Sequence, residues 1–209
     1  MSAIPSEPET TLVLIRHGLI VKPTSTSNFD RAPLSSEGWR QMNRLAIEWP
    51  FAKPAAVHCS DLLRAIQSAT VLQTGFHVPL HREECLREWT ADPADLPQRT
   101  YLDLEGRAWH DQQWVPPSGE SLEQAGERVS RCLNGIAGRH RGDTVAAVGH
   151  GTLFSQFTAP LRGAKPTEDY KNSITNAGYA VVVHGDSWRL VSDFTSLPQS
   201  APLGTRENL

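Results

Sequence analysis

The sequence predicts a three-layer α/β/α sandwich with a mostly parallel central sheet and an antiparallel edge. Short apolar runs typical of buried strands alternate with segments of helical periodicity, which is the pattern of a parallel sheet covered by helices. Near the end of the chain, two further strand-like runs flank Gly185-Asp186-Ser187, which predicts a hairpin and therefore an antiparallel edge. The chain has 209 residues, of which 39% are hydrophobic, and this is enough for one domain spanning residues 1–209.

The first half of the chain predicts two strand–helix units. The first strand covers residues 11–15, and after a polar segment Ser35 or Ser36 can cap a helix with an apolar face. The second strand covers residues 55–59 and leads into a helix whose predicted N-cap is Ser60. Each unit therefore places a helix directly after a buried strand.

The middle of the chain is less regular. Residues 77–118 contain several prolines and three tryptophans without clear periodicity, so we predict an insertion, mostly loop with short helices, that covers the carboxyl edge of the sheet as a lid. Ser121 and Gln124 then have the spacing of a capping box that opens a further helix. A third strand, residues 144–148, follows this helix.

Composition and charge argue against several classes of partner. A formal charge of −3 without a long basic run gives no reason to expect nucleic acid as a partner. No stretch approaches the roughly 20 apolar residues of a membrane helix, and the first residues lack the apolar core of a secretory signal. We therefore predict a cytoplasmic protein with loose termini at residues 1–10 and 198–209. The sequence leaves the oligomeric state open.

The cysteine and histidine content predicts neither a disulfide nor a metal. Three cysteines are few, odd in number and lack metal-binding spacing, so we expect buried thiols in a reducing compartment. No His-Glu-x-x-His or similar motif supports a catalytic metal, and no motif calls for a cofactor.

Side chains that can do chemistry follow all three predicted strands. Arg16 and His17 follow the first, Arg64 lies early in the helix after the second, and His150 follows the third. Because the carboxyl ends of parallel strands meet at one edge of a sheet, we expect these four side chains in one pocket. Arginine forks match phosphoryl oxygens, and the N-termini of nearby helices add N–H donors. The predicted ligand is phosphate, toward which a neutral imidazole is a competent nucleophile.

Five motifs in this order resemble the histidine phosphatase superfamily, the phosphoglycerate-mutase-like family. They are Arg16-His17-Gly18, Pro33-Leu34-Ser35-Ser36-Glu37-Gly38, Ser60-Asp61-Leu62-Leu63-Arg64-Ala65, Gly119-Glu120-Ser121 and Val148-Gly149-His150-Gly151. The resemblance implies a two-step phosphoryl transfer in which His17 becomes phosphohistidine. It also implies that Arg16, Arg64 and His150 bind the transferring group and neutralise its charge.

The resemblance further implies a carboxylic acid in a Leu-x-Glu setting, which Leu86-Arg87-Glu88 matches. Glu88 would protonate the leaving oxygen and later deprotonate the attacking water. The residues that follow, Trp89-Thr90-Ala91-Asp92-Pro93, depart from the Gly and the Glu-Gly pair of many members. Glu83, Glu84 and Asp92 therefore remain alternative acids.

These features predict a phosphomonoester hydrolase that acts on a small phosphorylated metabolite. A mutase needs further basic groups, whereas the segment after the predicted acid has an acidic balance: Asp92, Asp95, Asp103, Glu105 and Asp111 against Arg99 and Arg107. A phosphoglycerate-type mutase and a non-catalytic phospholigand-binding protein on the same fold are the alternatives. A metal-dependent hydrolase would need a ligand cluster that the sequence lacks, and the sequence does not identify the substrate.

Overall fold

The protein is described by a computed structural model for residues 8–24, 26, 28–93 and 95–198. Its strands are β1 (Thr10–Arg16), β2 (Ala56–Cys59), β3 (Leu80–Arg82), β4 (Thr144–Gly149), β5 (Tyr179–His184) and β6 (Trp188–Thr195). They form a sheet in the order β3-β2-β4-β1-β5-β6.

The sheet is parallel on one side and antiparallel on the other. The neighbours β3–β2, β2–β4 and β4–β1 run parallel, whereas β5 pairs antiparallel with both β1 and β6. The turn between β5 and β6 lies at Gly185-Asp186-Ser187, where the sequence predicts a hairpin. The predicted mostly parallel sheet with an antiparallel edge is therefore confirmed.

Helices cover both faces of the sheet. They are α1 (Ser36–Ile47), α2 (Leu63–Phe76), α3 (Gln98–His110), α4 (Leu122–Arg139), α5 (Gly151–Leu161) and α6 (Glu168–Ser173). The side chains of β1 alternate between the faces, so Val13 and Ile15 pack in one core with α1 and α2. Leu12 and Leu14 pack in the other core with α4 and α5. The result is the predicted three-layer sandwich.

The predicted helix starts are confirmed at two of three positions. The Ser35 hydroxyl accepts from the Gly38 N–H at the start of α1, and Ser121 with Gln124 forms the predicted capping box of α4. Ser60 is not the N-cap of α2, which begins after Leu62. Its hydroxyl instead accepts from the Leu62 N–H, a local bond that shapes the turn ahead of the helix.

The segment 77–118 is more regular than predicted. It contains the edge strand β3, a 3₁₀ turn at Glu84–Leu86 and the 13-residue helix α3. The predicted loose ends lie mostly in residues 1–7 and 199–209, outside the described part of the chain. Within it, Thr10 begins β1 and is buried, so this end of the predicted N-terminal arm belongs to the sheet.

Cys85 and Cys132 form a disulfide, so the prediction of buried thiols without a disulfide is wrong for this pair. Cys85 lies in the 3₁₀ turn, and Cys132 lies on α4, with the two Cα atoms 5.7 Å apart. The contact arises because α4 packs across the turn, which the spacing of the cysteines does not reveal. Cys59 is free and buried, as predicted.

No helix in the described ranges is long and apolar enough to cross a membrane.

Candidate active site

The candidate active site lies where three parallel strands end. The strands β2, β4 and β1 are neighbours in the sheet, so their carboxyl ends meet at one edge. His17 follows β1, His150 follows β4 as the N-cap of α5, and Arg64 lies in the first turn of α2. The topology therefore brings together the side chains that the sequence predicts at strand ends.

The imidazoles of His17 and His150 face each other, with ring centroids 5.2 Å apart. Nδ1 of His17 donates to the carbonyl oxygen of Gly18 at 2.8 Å, which leaves Nε2 as the unprotonated nitrogen of the neutral ring. Burial lowers the pKa of His17 to about 3, and the charge of Arg64 adds to this effect. His17 is thus a neutral imidazole with a free lone pair at neutral pH.

His150 is fully buried, and neither of its ring nitrogens has a hydrogen-bond partner among the described residues. Burial lowers its pKa well below the ordinary value, and the charges of Arg64, His17 and Arg16 act in the same direction. Buried polar atoms are nearly always paired in folded proteins. Two unpaired nitrogens on a ring beside the nucleophile therefore mark a place for a polar ligand.

The guanidinium groups of Arg16 and Arg64 are each held at one nitrogen by a backbone carbonyl oxygen. Arg16 donates to the carbonyl oxygen of Ile174, and Arg64 donates to that of Phe29 at 2.6 Å. Burial lowers the pKa of both guanidinium groups, and the Glu88 carboxylate raises it. Each guanidinium group keeps further N–H groups that can bind an anion, and Nε of Arg16 is buried with no hydrogen-bond partner in the described part of the chain.

The Glu88 carboxylate lies at the N-terminus of α5. It accepts from the N–H groups of Thr152 at 3.1 Å and Leu153 at 3.0 Å, and also from that of Trp89 at 2.9 Å. Glu88 lines the same cavity as Arg16, His17 and Arg64, whereas His150 is buried next to the His17 ring and does not itself line the cavity. The helix N-terminus thus holds the carboxyl beside the phosphate-binding groups.

The alternative acids do not line this cavity. Glu83 accepts from His58 and forms an ion pair with Arg139, which occupies its carboxylate elsewhere. Glu84 is exposed and lines, together with Glu88, a neighbouring cavity that does not include His17. Asp92 is not among the residues that line the cavity around His17 either.

Two glycines of the sequence motifs allow a close contact behind His17. A Cβ on Gly18 would lie 2.6 Å from the Gly38 carbonyl oxygen, and a Cβ on Gly38 would lie 2.0 Å from that of Leu19. The backbone after β1 therefore passes directly over the first turn of α1. This contact fixes the segment that carries His17.

The cavity at His17 measures about 420 Å³. One wall is formed by α3 and α6, and we call it the α3–α6 wall. It consists of Gln98, Tyr101, Leu102, Glu105, Lys171 and Asn172. The α3 members recur with helical spacing and so share one face of that helix. None of these residues is predicted from the sequence as a site residue, because a polar helix face that lines a cavity has the same sequence pattern as one that faces water.

No group of three or more metal-binding side chains capable of holding a metal ion occurs in the described ranges. The residues at the site are imidazoles, guanidinium groups and one carboxylate, a donor set that fits a phosphoryl group.

Comparison with known proteins shows the family of this chain and its relatives. The profile of the histidine phosphatase superfamily (branch 1) matches residues 12–194. A metal-independent phosphoserine phosphatase of Arabidopsis thaliana is 26% identical over 90% of this chain and 84% of its own length. A phosphoglycerate mutase-like protein of the same plant is 22% identical, over 86% of this chain and 82% of its own.

Solved structures share the fold at lower identity. A mycobacterial glucosyl-3-phosphoglycerate phosphatase superposes with a TM-score of 0.73 at 21% identity, covering 90% of this chain and all of the other. A phosphoserine phosphatase from Entamoeba histolytica, solved with phosphoserine, gives a TM-score of 0.72 at 20% identity, covering 88% and 96%.

Proposed function

Because the chain belongs to branch 1 of the histidine phosphatase superfamily, we propose that it hydrolyses small phosphomonoesters through a phosphohistidine on His17. The observation that carries the proposal is a neutral His17, with its Nε2 lone pair free, next to a buried His150 that has no hydrogen-bond partner among the residues the structure describes. Arg16 and Arg64 supply the positive charge that a phosphoryl dianion requires.

In the first step, Nε2 of His17 attacks phosphorus, and the bond between phosphorus and the ester oxygen breaks. Glu88 gives its proton to the departing oxygen, since an alkoxide is a poor leaving group. His150, Arg16 and Arg64 donate to the non-bridging oxygens as charge develops on them.

In the second step, water attacks the phosphohistidine. Glu88, now a carboxylate, accepts the proton of that water, the bond between phosphorus and Nε2 breaks, and inorganic phosphate leaves. The hydrogen bonds from the Thr152 and Leu153 N–H groups support the ionised carboxylate in this step. No metal or cofactor takes part in either step.

The size and charge of the cavity favour hydrolysis of a small substrate. A volume of about 420 Å³ suits a phosphate with a small leaving group. A mutase holds a second phosphoryl position, whereas Lys171 on the α3–α6 wall is already paired with Glu105. Two of the similar proteins are a phosphoserine phosphatase and a glucosyl-3-phosphoglycerate phosphatase, which also favours a small phosphorylated metabolite as the substrate.

We also propose that residues 77–118 act as the lid of the cavity. The support is that one face of α3, within this segment, forms part of the cavity wall.

Turnover of para-nitrophenyl phosphate in the presence of a chelator tests the proposal. We expect release of phosphate without added metal and no loss when the chelator is added. A non-catalytic phospholigand-binding protein would bind phosphate without turnover, and a metal-dependent hydrolase would lose activity with the chelator. Transfer of phosphate to a second hydroxyl of the substrate, rather than to water, would indicate the mutase.

The cytoplasmic location predicted from the sequence stays a proposal. The observation against it is the disulfide between Cys85 and Cys132, a bond that is rare in the cytoplasm. Titration of thiols in protein isolated from its native cells under acid quench tests the point. Three reactive thiols after denaturation would agree with a reducing compartment, and one would contradict it.

A further inference from the structure

An ion pair lies on the wall of the candidate active-site cavity. Nζ of Lys171 lies 3.3 Å from Oε1 of Glu105, so the pair joins α6 to α3. Only 17% and 20% of the two side chains are exposed. Both residues line the cavity that contains His17 and Glu88. A substrate bound with its phosphate at His17 therefore reaches toward this pair with its leaving group.

The position of the Lys171 ammonium group is fixed by three neighbours. The indole ring of Trp109 lies 5.7 Å from Nζ, close enough for a cation–π interaction. On the same helix, Oε1 of the half-exposed Glu168 lies 3.8 Å away, farther than Glu105. The cation is thus held between an aromatic face and a carboxylate rather than extending into water.

Phosphoryl transfer alone does not account for this pair. In the proposed mechanism Arg16 and Arg64 neutralise the transferring group and His150 donates a hydrogen bond to it, so the ion pair has no task at the phosphorus atom. A largely buried ion pair loses hydration and often contributes little to stability compared with apolar side chains. Its place on the cavity wall instead suggests a role in choosing the leaving group.

The chemistry of the pair distinguishes between classes of leaving group. A leaving group with one charge would compete for one member of the pair and leave the other without a partner in a poorly hydrated site. A leaving group with a carboxylate and an ammonium group can pair with both, the carboxylate with Lys171 and the ammonium group with Glu105. The exposed Lys22 at the same cavity attracts any anionic substrate and does not discriminate between them.

We propose that Glu105 and Lys171 are specificity-determining residues that select a zwitterionic leaving group, so that the preferred substrates are phosphomonoesters of small hydroxy amino acids. This inference rests on the proposed phosphatase activity. The amides of Gln98 and Asn172 on the same wall offer further donors and acceptors to the charged groups of such a leaving group.

Four phosphomonoesters of similar size test the proposal on the wild-type protein. Phosphoserine carries both charged groups, 3-phosphoglycerate carries only the carboxylate, phosphoethanolamine carries only the ammonium group, and glycerol 1-phosphate carries neither. We expect kcat/KM for phosphoserine to exceed that for each of the others by about 10- to 100-fold, the usual effect of one hydrogen bond to a charged group.

Two variants separate the roles of the pair. Lys171→Met should lower the kcat/KM ratio of phosphoserine to phosphoethanolamine, because only phosphoserine has a carboxylate. Glu105→Gln should lower the ratio of phosphoserine to 3-phosphoglycerate, because only phosphoserine has an ammonium group. The matched controls are Lys165→Met, at an exposed lysine before α6, and Asp103→Asn, at an exposed acid of α3. Both controls should leave these ratios unchanged.

The outcomes distinguish this proposal from the proposed function. If the wild type hydrolyses para-nitrophenyl phosphate but treats all four metabolites alike, the selection of a zwitterion is wrong and the phosphatase activity stands. If the two variants change all four substrates by the same factor, the pair has a structural role and the proposal is overturned. If no phosphomonoester is hydrolysed at all, the proposed function itself fails.

Discussion

His17 meets two conditions that nucleophilic attack on phosphorus imposes. Its Nδ1 is committed to the Gly18 carbonyl oxygen, so the lone pair is on Nε2, and burial lowers its pKa to about 3. A protonated imidazole has no lone pair to offer, whereas this ring stays neutral throughout the physiological range. The same environment that removes the proton also places the ring beside the two arginines.

His17→Ala should abolish turnover of every phosphomonoester, because no other residue can form the covalent intermediate. Rapid acid-free quench of the wild type should trap a phosphoryl adduct that is stable to base and labile to acid. Circular dichroism should show that the variant remains folded. Turnover near the wild-type rate in the variant would contradict the covalent route.

Glu88→Gln should reduce turnover of an alkyl phosphate by roughly 10²–10⁴, the usual contribution of a positioned acid or base. The phosphorylation step with para-nitrophenyl phosphate should suffer much less, because nitrophenolate leaves without a proton. Single-turnover kinetics separate this step from hydrolysis of the intermediate. Glu84→Gln, at an exposed acid, is the matched control. Equal losses of activity in the two variants would show that Glu88 is not the general acid.

The site residues differ in how far the sequence could predict them. Arg16, His17 and His150 follow strands directly, and the carboxyl ends of neighbouring parallel strands must meet. Glu105 and Lys171 lie on separate helices, 66 residues apart, and their contact depends on how those helices pack. The sequence pattern does not reveal how these two helices pack against each other.

At the scale of elements, α4 holds the loop that carries Glu88. The Arg128 side chain donates to the carbonyl oxygens of Cys85 at 2.8 Å and Arg87 at 3.0 Å, and it binds the Glu120 carboxylate. One helical turn farther on, Cys132 binds Cys85 covalently. Two successive turns of α4 therefore fix the residues immediately before the proposed acid.

Arg128→Met should act on catalysis through the position of Glu88. We expect a loss of up to about 10²-fold for an alkyl phosphate, which is what a small misplacement of a reacting group can cost. Phosphorylation by para-nitrophenyl phosphate should change less, as it does not depend on the acid. Arg131→Met, at an exposed arginine on the same helix, is the matched control. Equal loss with both substrates would indicate a general effect on folding.

The elements with strong local signals were predictable, and those defined by distant contacts were not. The apolar stripe and capping box of α4 mark its start and its buried face. In α3 the fully buried residue is Ala108, and another face lines the cavity, so the helix lacks a clear apolar stripe. The edge strand β3 is three residues long and mostly exposed, which leaves little pattern to detect.

At the scale of the whole molecule, buried neutral histidines couple stability to pH. His58 is buried, donates from Nδ1 to Glu83 at 2.8 Å and has Nε2 3.0 Å from that of His140. The His58 ring stacks on the ring of His81. Two charged groups lie next to this cluster: Oδ2 of Asp143 is 4.0 Å from Nδ1 of His140, and Arg139 forms an ion pair with Glu83. Burial lowers the pKa of His58 to about 4, despite the opposing effect of Glu83.

The free energy of unfolding should therefore fall as the pH falls from about 6.5 toward 4. In this window the unfolded chain takes up protons that folded His58 does not, and one such histidine contributes up to about 1.4 kcal/mol per pH unit. His17 extends the effect toward pH 3. Urea titrations at several pH values measure the slope.

His58→Gln should flatten this slope between pH 6.5 and 4, whatever it does to the stability at pH 7. His110→Gln, at an exposed histidine at the end of α3, is the control and should keep the wild-type slope. An unchanged slope in His58→Gln would assign the effect to other groups.

The disulfide has a consequence for a chain that has been cut. Cys85 and Cys132 are 47 positions apart in the sequence, and the segment between them includes all of α3 and the start of α4. Trypsin cleavage after the exposed Arg99 or Arg107 would leave two fragments joined by sulfur. Electrophoresis should show one band of full mass until a reductant is added, and then two. A break in α3 therefore opens the wall of the cavity without releasing either half of the molecule.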